Sequence, residues 1–271
     1  MFRYAKHFTP GAGVLALLTV FSVGACSRAA VAQVGVTESV ATQAQTSVQA
    51  ASNDDFLPQL QGVDPAKDAA AEAALTEPRR IAAAIVAVGN PSPKLIVDVD
   101  AYQGSFLGEF LNRFPTARGL WTEGDRESIG VASARLARFG DRVDFKIACA
   151  DRMISQECIP HGTDVIITDW VSIHQHLNGM YKSYSAAAAL LPPGGWIVNI
   201  DHVGFGGSAW EAWHQAARKG IRPDQEGPAI HHPELRVPTV DEQLGALRAA
   251  GFDAHVTWQS FNTVLFMGRK R

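Results

Sequence analysis

Apolar residues follow two rhythms between Lys94 and the end of the chain. Short continuous apolar runs read as buried strands; runs with apolar residues every third or fourth position read as amphipathic helices. The stretch that organises the rest is KLIVDVDAYQGSFLGEFLNRF, residues 94–114. Leu95, Ile96 and Val97 form a strand that ends on Asp98. A tight turn holding Gly104 follows, and Phe106, Leu107, Phe110, Leu111 and Phe114 then line one side of a helix. Further strands are predicted at 119–123, 142–148, 164–169 and 196–201. Two closing strands, 254–258 and 263–268, lie near enough in sequence to pair antiparallel.

Helix signals fall between the strands. Asp64 and Pro65 open a helix that Pro78 is expected to break, with 79–88 as its continuation. Asp125 can cap a helix running to about residue 138, and 180–191 is an Ala-rich helix. Thr239 and Glu242 form a capping box for a helix stopped by Gly251. Strands alternating with helices predict a mostly parallel sheet covered on both faces. Residues 203–237 break the rhythm with Gly, Pro, His and Trp, and read as an insertion over one end of the sheet.

Composition narrows the function classes. The 271 residues carry a net charge of −3 and no basic block, which argues against nucleic acid as a partner. Arg3, Lys6 and His7 precede an apolar stretch, 14–23, too short to span a bilayer comfortably, and small residues follow. This predicts a signal peptide over 1–32, cleaved before Gln33, with soluble export. Val23-Gly24-Ala25-Cys26 resembles a bacterial lipobox, so a lipid on Cys26 is the one membrane link considered. The alternative is an over-extended start and a cytoplasmic protein. Residues 33–55 read as a flexible linker and 56–271 as the folded domain. After export, Cys149 and Cys158 are the cysteines available to pair, and the sequence leaves a disulfide and two free thiols equally open.

Residues 79–271 resemble the class I S-adenosylmethionine-dependent methyltransferases, in particular the small-molecule O-methyltransferase branch. VDVDAYQGSFLGEFL stands at the strand acid and glycine turn, RGLWTE at the second strand acid, and DVIITDWVSIHQH at the fourth strand. LLPPGGWIVNID and TVDEQLGALRAAGFDAHVTWQSFNTVLFMGRK match the fifth strand and the closing elements in order. The resemblance implies a Rossmann-like methyltransferase fold with a seven-stranded, mostly parallel sheet and an antiparallel last strand. It implies S-adenosylmethionine as cofactor, lined by Asp98, Asp100, Tyr102, Gly104, Asp169 and Trp170. Glu123 would hold the ribose and Asp151 would meet the adenine. The chain departs from the family at Asp100 and Tyr102, where glycines usually let the backbone approach the cofactor.

Methyl transfer needs alignment of acceptor and donor more than it needs side-chain chemistry, and a hydroxyl acceptor gains from a histidine base. His202 and His174, at strand ends, are the candidate catalytic residues. Trp210, Trp213, His214, His231 and His232 in the insertion are the candidate substrate residues, suited to a flat acceptor. No histidine spacing is diagnostic of a metal. The expected activity is methyl transfer to a small aromatic or hydroxylated molecule. One alternative is an exported enzyme of the same fold that no longer uses S-adenosylmethionine and does lyase, isomerase or hydrolytic chemistry. The other is a non-catalytic ligand-binding module.

Overall fold

A computed structural model describes residues 65–124, 126–149, 153–221 and 236–271. The expected signal peptide, the linker, Asp125, Asp151, His231 and His232 lie outside the described residues.

The elements run α1 (Pro65–Gly89), β1 (Leu95–Val99), α2 (Ser105–Arg113), β2 (Arg118–Glu123), α3 (Ile129–Leu136), β3 (Val143–Ile147), β4 (Val165–Asp169), α4 (Leu177–Leu190), β5 (Trp196–His202), α5 (Ser208–Ile221), α6 (Val240–Ala249), β6 (Phe252–Ser260) and β7 (Thr263–Lys270). They build one seven-stranded sheet in the order β3-β2-β1-β4-β5-β7-β6. Strands β1 to β5 pair parallel, while β7 is antiparallel to both β5 and β6. The chain order reverses between β1 and β4, which is where an open α/β sheet forms its ligand crevice.

Side-chain alternation explains why both faces are covered. Ile96 packs in one apolar cluster with α1, α2 and α3, whereas Val97 and Val99 pack in another with α4 and α6. On α2 the expected stripe is buried: Phe106, Leu107, Phe110 and Leu111 are each at most 1% exposed. Burying four such side chains contributes about 6–12 kcal/mol before chain entropy is counted. The Thr239–Glu242 capping box forms as its spacing predicts.

One boundary differs. Pro78 does not break its helix, and α1 runs through it to Gly89. A proline inside a helix removes a backbone hydrogen bond at a cost of about 3 kcal/mol. Leu75, Ala82, Ala83 and Val86, all buried on the sheet side of α1, offset that loss.

Candidate functional site

At the carboxyl end of β1, Asp98 is fully buried. Its Oδ2 accepts the Leu107 N–H at 3.1 Å, which ties β1 to the start of α2. Burial, and then the nearby Asp169 charge, push the Asp98 carboxyl well above the usual range. The turn that follows places Asp100, Tyr102 and Gly104 at φ 56°, 42° and 72°. All three are left-handed, a conformation costly for residues with a Cβ. At Gly104 a Cβ would in addition lie 2.7 Å from Leu136 Cδ1 and push that side chain aside.

The turn is fastened to β2. The Trp121 indole donates to the Tyr102 carbonyl at 3.1 Å, and the Ala101 N–H to the Thr122 carbonyl at 3.1 Å. The Glu123 carboxyl accepts the Tyr102 N–H on Oε2 and the Gly124 N–H on Oε1, each at 2.9 Å. Glu123 is 1% exposed. Burial raises its pKa first and the Asp100 carboxylate second, to about 9. Glu123, the acid expected to hold a ribose, is thus tied to the backbone on both sides of β2's end.

Helix α1 contributes two residues that the sequence reading missed. Arg79, 3% exposed, donates from Nη2 to Asp169 Oδ2 at 2.5 Å and forms a fork with Glu72 at 2.8 and 3.1 Å. Its guanidinium lies 5.7 Å from the Phe106 ring centroid. Burial opposes the charge on Arg79, but Asp169 and Glu72 outweigh it and keep the guanidinium protonated. The available signal was placement: Arg79 lies four residues after Leu75 and three before Ala82, on the apolar stripe of α1.

The other half of the edge is aromatic. Trp170 follows β4 at φ 57° and stacks on His202, with centroids 5.6 Å apart and planes 22° from parallel. His202 Nδ1 sits 3.2 Å from the Thr263 hydroxyl. Burial, and then Arg218, lower the His202 pKa to about 4, so the imidazole is neutral near pH 7. His214 faces Phe205 at 3.9 Å and meets Phe261 edge-on at 5.4 Å. Trp210 and Trp213 meet each other at 5.3 Å and are each 62% exposed, so they look outward while His214 looks in.

A buried polar network supports this half. Asp201 accepts the Ser172 N–H and hydroxyl at 2.8 and 2.5 Å, and the His202 N–H at 2.9 Å. Gln243 donates to the Ser172 hydroxyl at 2.6 Å, and Tyr184 donates to Gln243 at 2.6 Å. Asp201 thus links the backbone of His202 to the short 3-10 turn, Ser172–His174, that carries His174. Burial moves its pKa up to about 6 despite these bonds.

At the β3 end, Cys149 and Cys158 form a disulfide with Cα atoms 5.7 Å apart, which settles the pairing left open by the sequence. Cys149, with Gly124, Ile147, Met153 and Ser155, borders a hollow of about 200 Å³. Among the described residues no group of three or more His, Cys, Asp or Glu could hold a metal ion, and no helix is long and apolar enough to cross a membrane.

No protein-family model and no curated protein matches the chain by sequence. Solved structures do match by shape. An O-methyltransferase family protein from Burkholderia thailandensis superposes with a TM-score of 0.56 at 16% identity, over 76% of this chain and 59% of that one. Human N-acetylserotonin methyltransferase, solved with S-adenosylmethionine, gives 0.50 at 16% identity, over 75% and 54%. The chain has the class I methyltransferase fold. It spans between half and three-fifths of the length of these two methyltransferases. A Bordetella parapertussis protein described as a "possible exported protein" shares the shape more evenly, with a TM-score of 0.56 at 15% identity over 80% of this chain and 77% of that one.

Proposed function

We propose that this is an exported methyltransferase-fold protein that does not use S-adenosylmethionine and takes a small aromatic molecule at the β4–β5 edge. The observation that carries the reading is Glu123, whose two oxygens accept the N–H groups of Tyr102 and Gly124. A ribose-holding acid must face an open crevice as an ionised carboxylate, whereas Glu123 is 1% exposed and favours its proton. Asp100 and Tyr102 add side chains where the cofactor's methionine end would need bare backbone. On this reading the β1–β2 residues do not fit the cofactor.

Export is supported by the signal-like N-terminus and by the Cys149–Cys158 disulfide, a bond that persists in oxidising compartments. The aromatic ligand class is supported by Trp170, His202, Phe205, His214 and Phe261 gathered at one edge. His202 serves there as a neutral hydrogen-bonding ring, because a pKa near 4 is low for a general base at neutral pH. Small-molecule methyl transfer is the second reading, favoured by the fold of the O-methyltransferase neighbours.

Calorimetric titration with S-adenosylmethionine separates the two. The wild type is expected to give no binding at millimolar ligand, and the double variant Asp100→Gly with Tyr102→Gly is expected to gain it. Micromolar binding by the wild type would overturn the proposal in favour of methyl transfer.

A further inference from the structure

The crevice between β1 and β4 contains a cluster of groups that the proposed ligand site leaves unused. Asp98 and Asp169 come from the strand ends and Phe106 from α2, so the sheet edge on its own presents buried acid beside an aromatic face. Carboxylates with an aromatic face nearby select a planar cation, by charge, by forked hydrogen bonding and by ring attraction. The group that meets all three is Arg79 from α1, which bonds Asp169 of the sheet through Nη2 and completes its fork with Glu72 of its own helix. The fit leaves two atoms over. Arg79 Nε and Asp98 Oδ1 are both buried and have no hydrogen-bond partner among the described residues. A hollow of about 310 Å³, lined by Glu72, Thr76, Arg79, Ser105 and Arg135, opens beside the guanidinium between α1 and α2.

We propose that this crevice is a binding site for a planar guanidinium-class cation, and that the chain fills it with Arg79 as an internal ligand carried on α1. The inference rests on the reading that the crevice is closed to S-adenosylmethionine, and it adds what closes it. Helix α1 acts as the plug, with Glu72 fixing the guanidinium from the helix side and Asp169 from the sheet side. Where Arg79 is removed, a free guanidino compound can take its place between Glu72 and Asp169, reaching it from the hollow beside α1.

The test is chemical rescue in the full-length protein. Arg79→Ala is expected to lower the thermal midpoint by roughly ten degrees, since it leaves buried carboxylates without their cation. Millimolar methylguanidine is expected to restore at least half of that loss and to leave the wild type unmoved. Tetramethylammonium, a cation of the wrong shape, is expected to restore none of it. Equal shifts in wild type and variant, or no shift in either, would overturn the proposal. If Arg79→Ala is recovered only as aggregate, refolding yield replaces the midpoint, and a yield unchanged by methylguanidine overturns it. Micromolar wild-type affinity for S-adenosylmethionine would sink the proposed function, whereas failed rescue with no such affinity sinks the plug alone.

Discussion

The two halves of the carboxyl edge use the same material to opposite ends. At β1 and β2 the acids Asp98, Glu123 and, across the crevice, Asp169 accept from backbone N–H groups and from Arg79. At β5 the acid Asp201 is equally buried, yet it accepts from Ser172 and from the His202 backbone and so steadies the segments that carry two histidines. One half is folded onto itself; the other supports an imidazole against an indole. On the proposed reading, a methyltransferase-like sheet does not by itself make a cofactor site. What matters is whether the strand-end acids are left for a ligand or consumed by the chain.

Four substitutions would break or sharpen this contrast. The largest effect is expected for Arg79→Leu, which leaves Glu72 and Asp169 buried beside no cation and should cost about 3–5 kcal/mol in urea unfolding. A loss below 1 kcal/mol, on the order of an exposed pair, would show the β1–β4 half to be open to water. Next is Cys158→Ala, which frees a loop of nine residues' separation and should cost about 2–3 kcal/mol. An unchanged midpoint in the oxidised proteins would show that the disulfide does not hold the β3 end. Tyr184→Phe removes a donor to Gln243 and an acceptor for Asn199, for about 1–2 kcal/mol, and tests whether the β5 half depends on its network. The smallest effect is expected for Asp100→Gly, which relieves about 1 kcal/mol of left-handed strain but removes the hydrogen-bond partner of protonated Glu123, so stability at neutral pH should change by less than about 1 kcal/mol. A larger destabilisation would mean Asp100 makes a contact worth more than its strain.

The sheet was legible because each strand is a short apolar run and each helix has a period the core can use. Val97 and Val99 on one face and Ile96 on the other are the alternation itself. The capping box at Thr239 was legible because its two partners are three residues apart. The left-handed conformation of Asp100 and Tyr102 was not legible, because neither residue type announces a positive φ as glycine does. Arg79 was not legible as a site residue: its partner Asp169 lies 90 positions away, and nothing local in α1 announces the pairing. Pro78 misled for a related reason, since local propensity favours a break and tertiary burial of the flanking residues overrides it. The disulfide depends on the path of the chain after β3, which spacing alone does not determine.

The central claim, that the β1–β2 half is spent on its own chain, is tested most directly by the titration of Glu123, followed by carboxyl carbon NMR. A folded-state pKa raised above the unfolded value means that the proton is held in the native state. Stability is then full below the unfolded value and falls as pH rises, here between 4.5 and about 9. The account predicts a Glu123 midpoint near 9, unmoved by millimolar S-adenosylmethionine. A midpoint near 4.5, with a carboxyl signal that shifts when the cofactor is added, would contradict it.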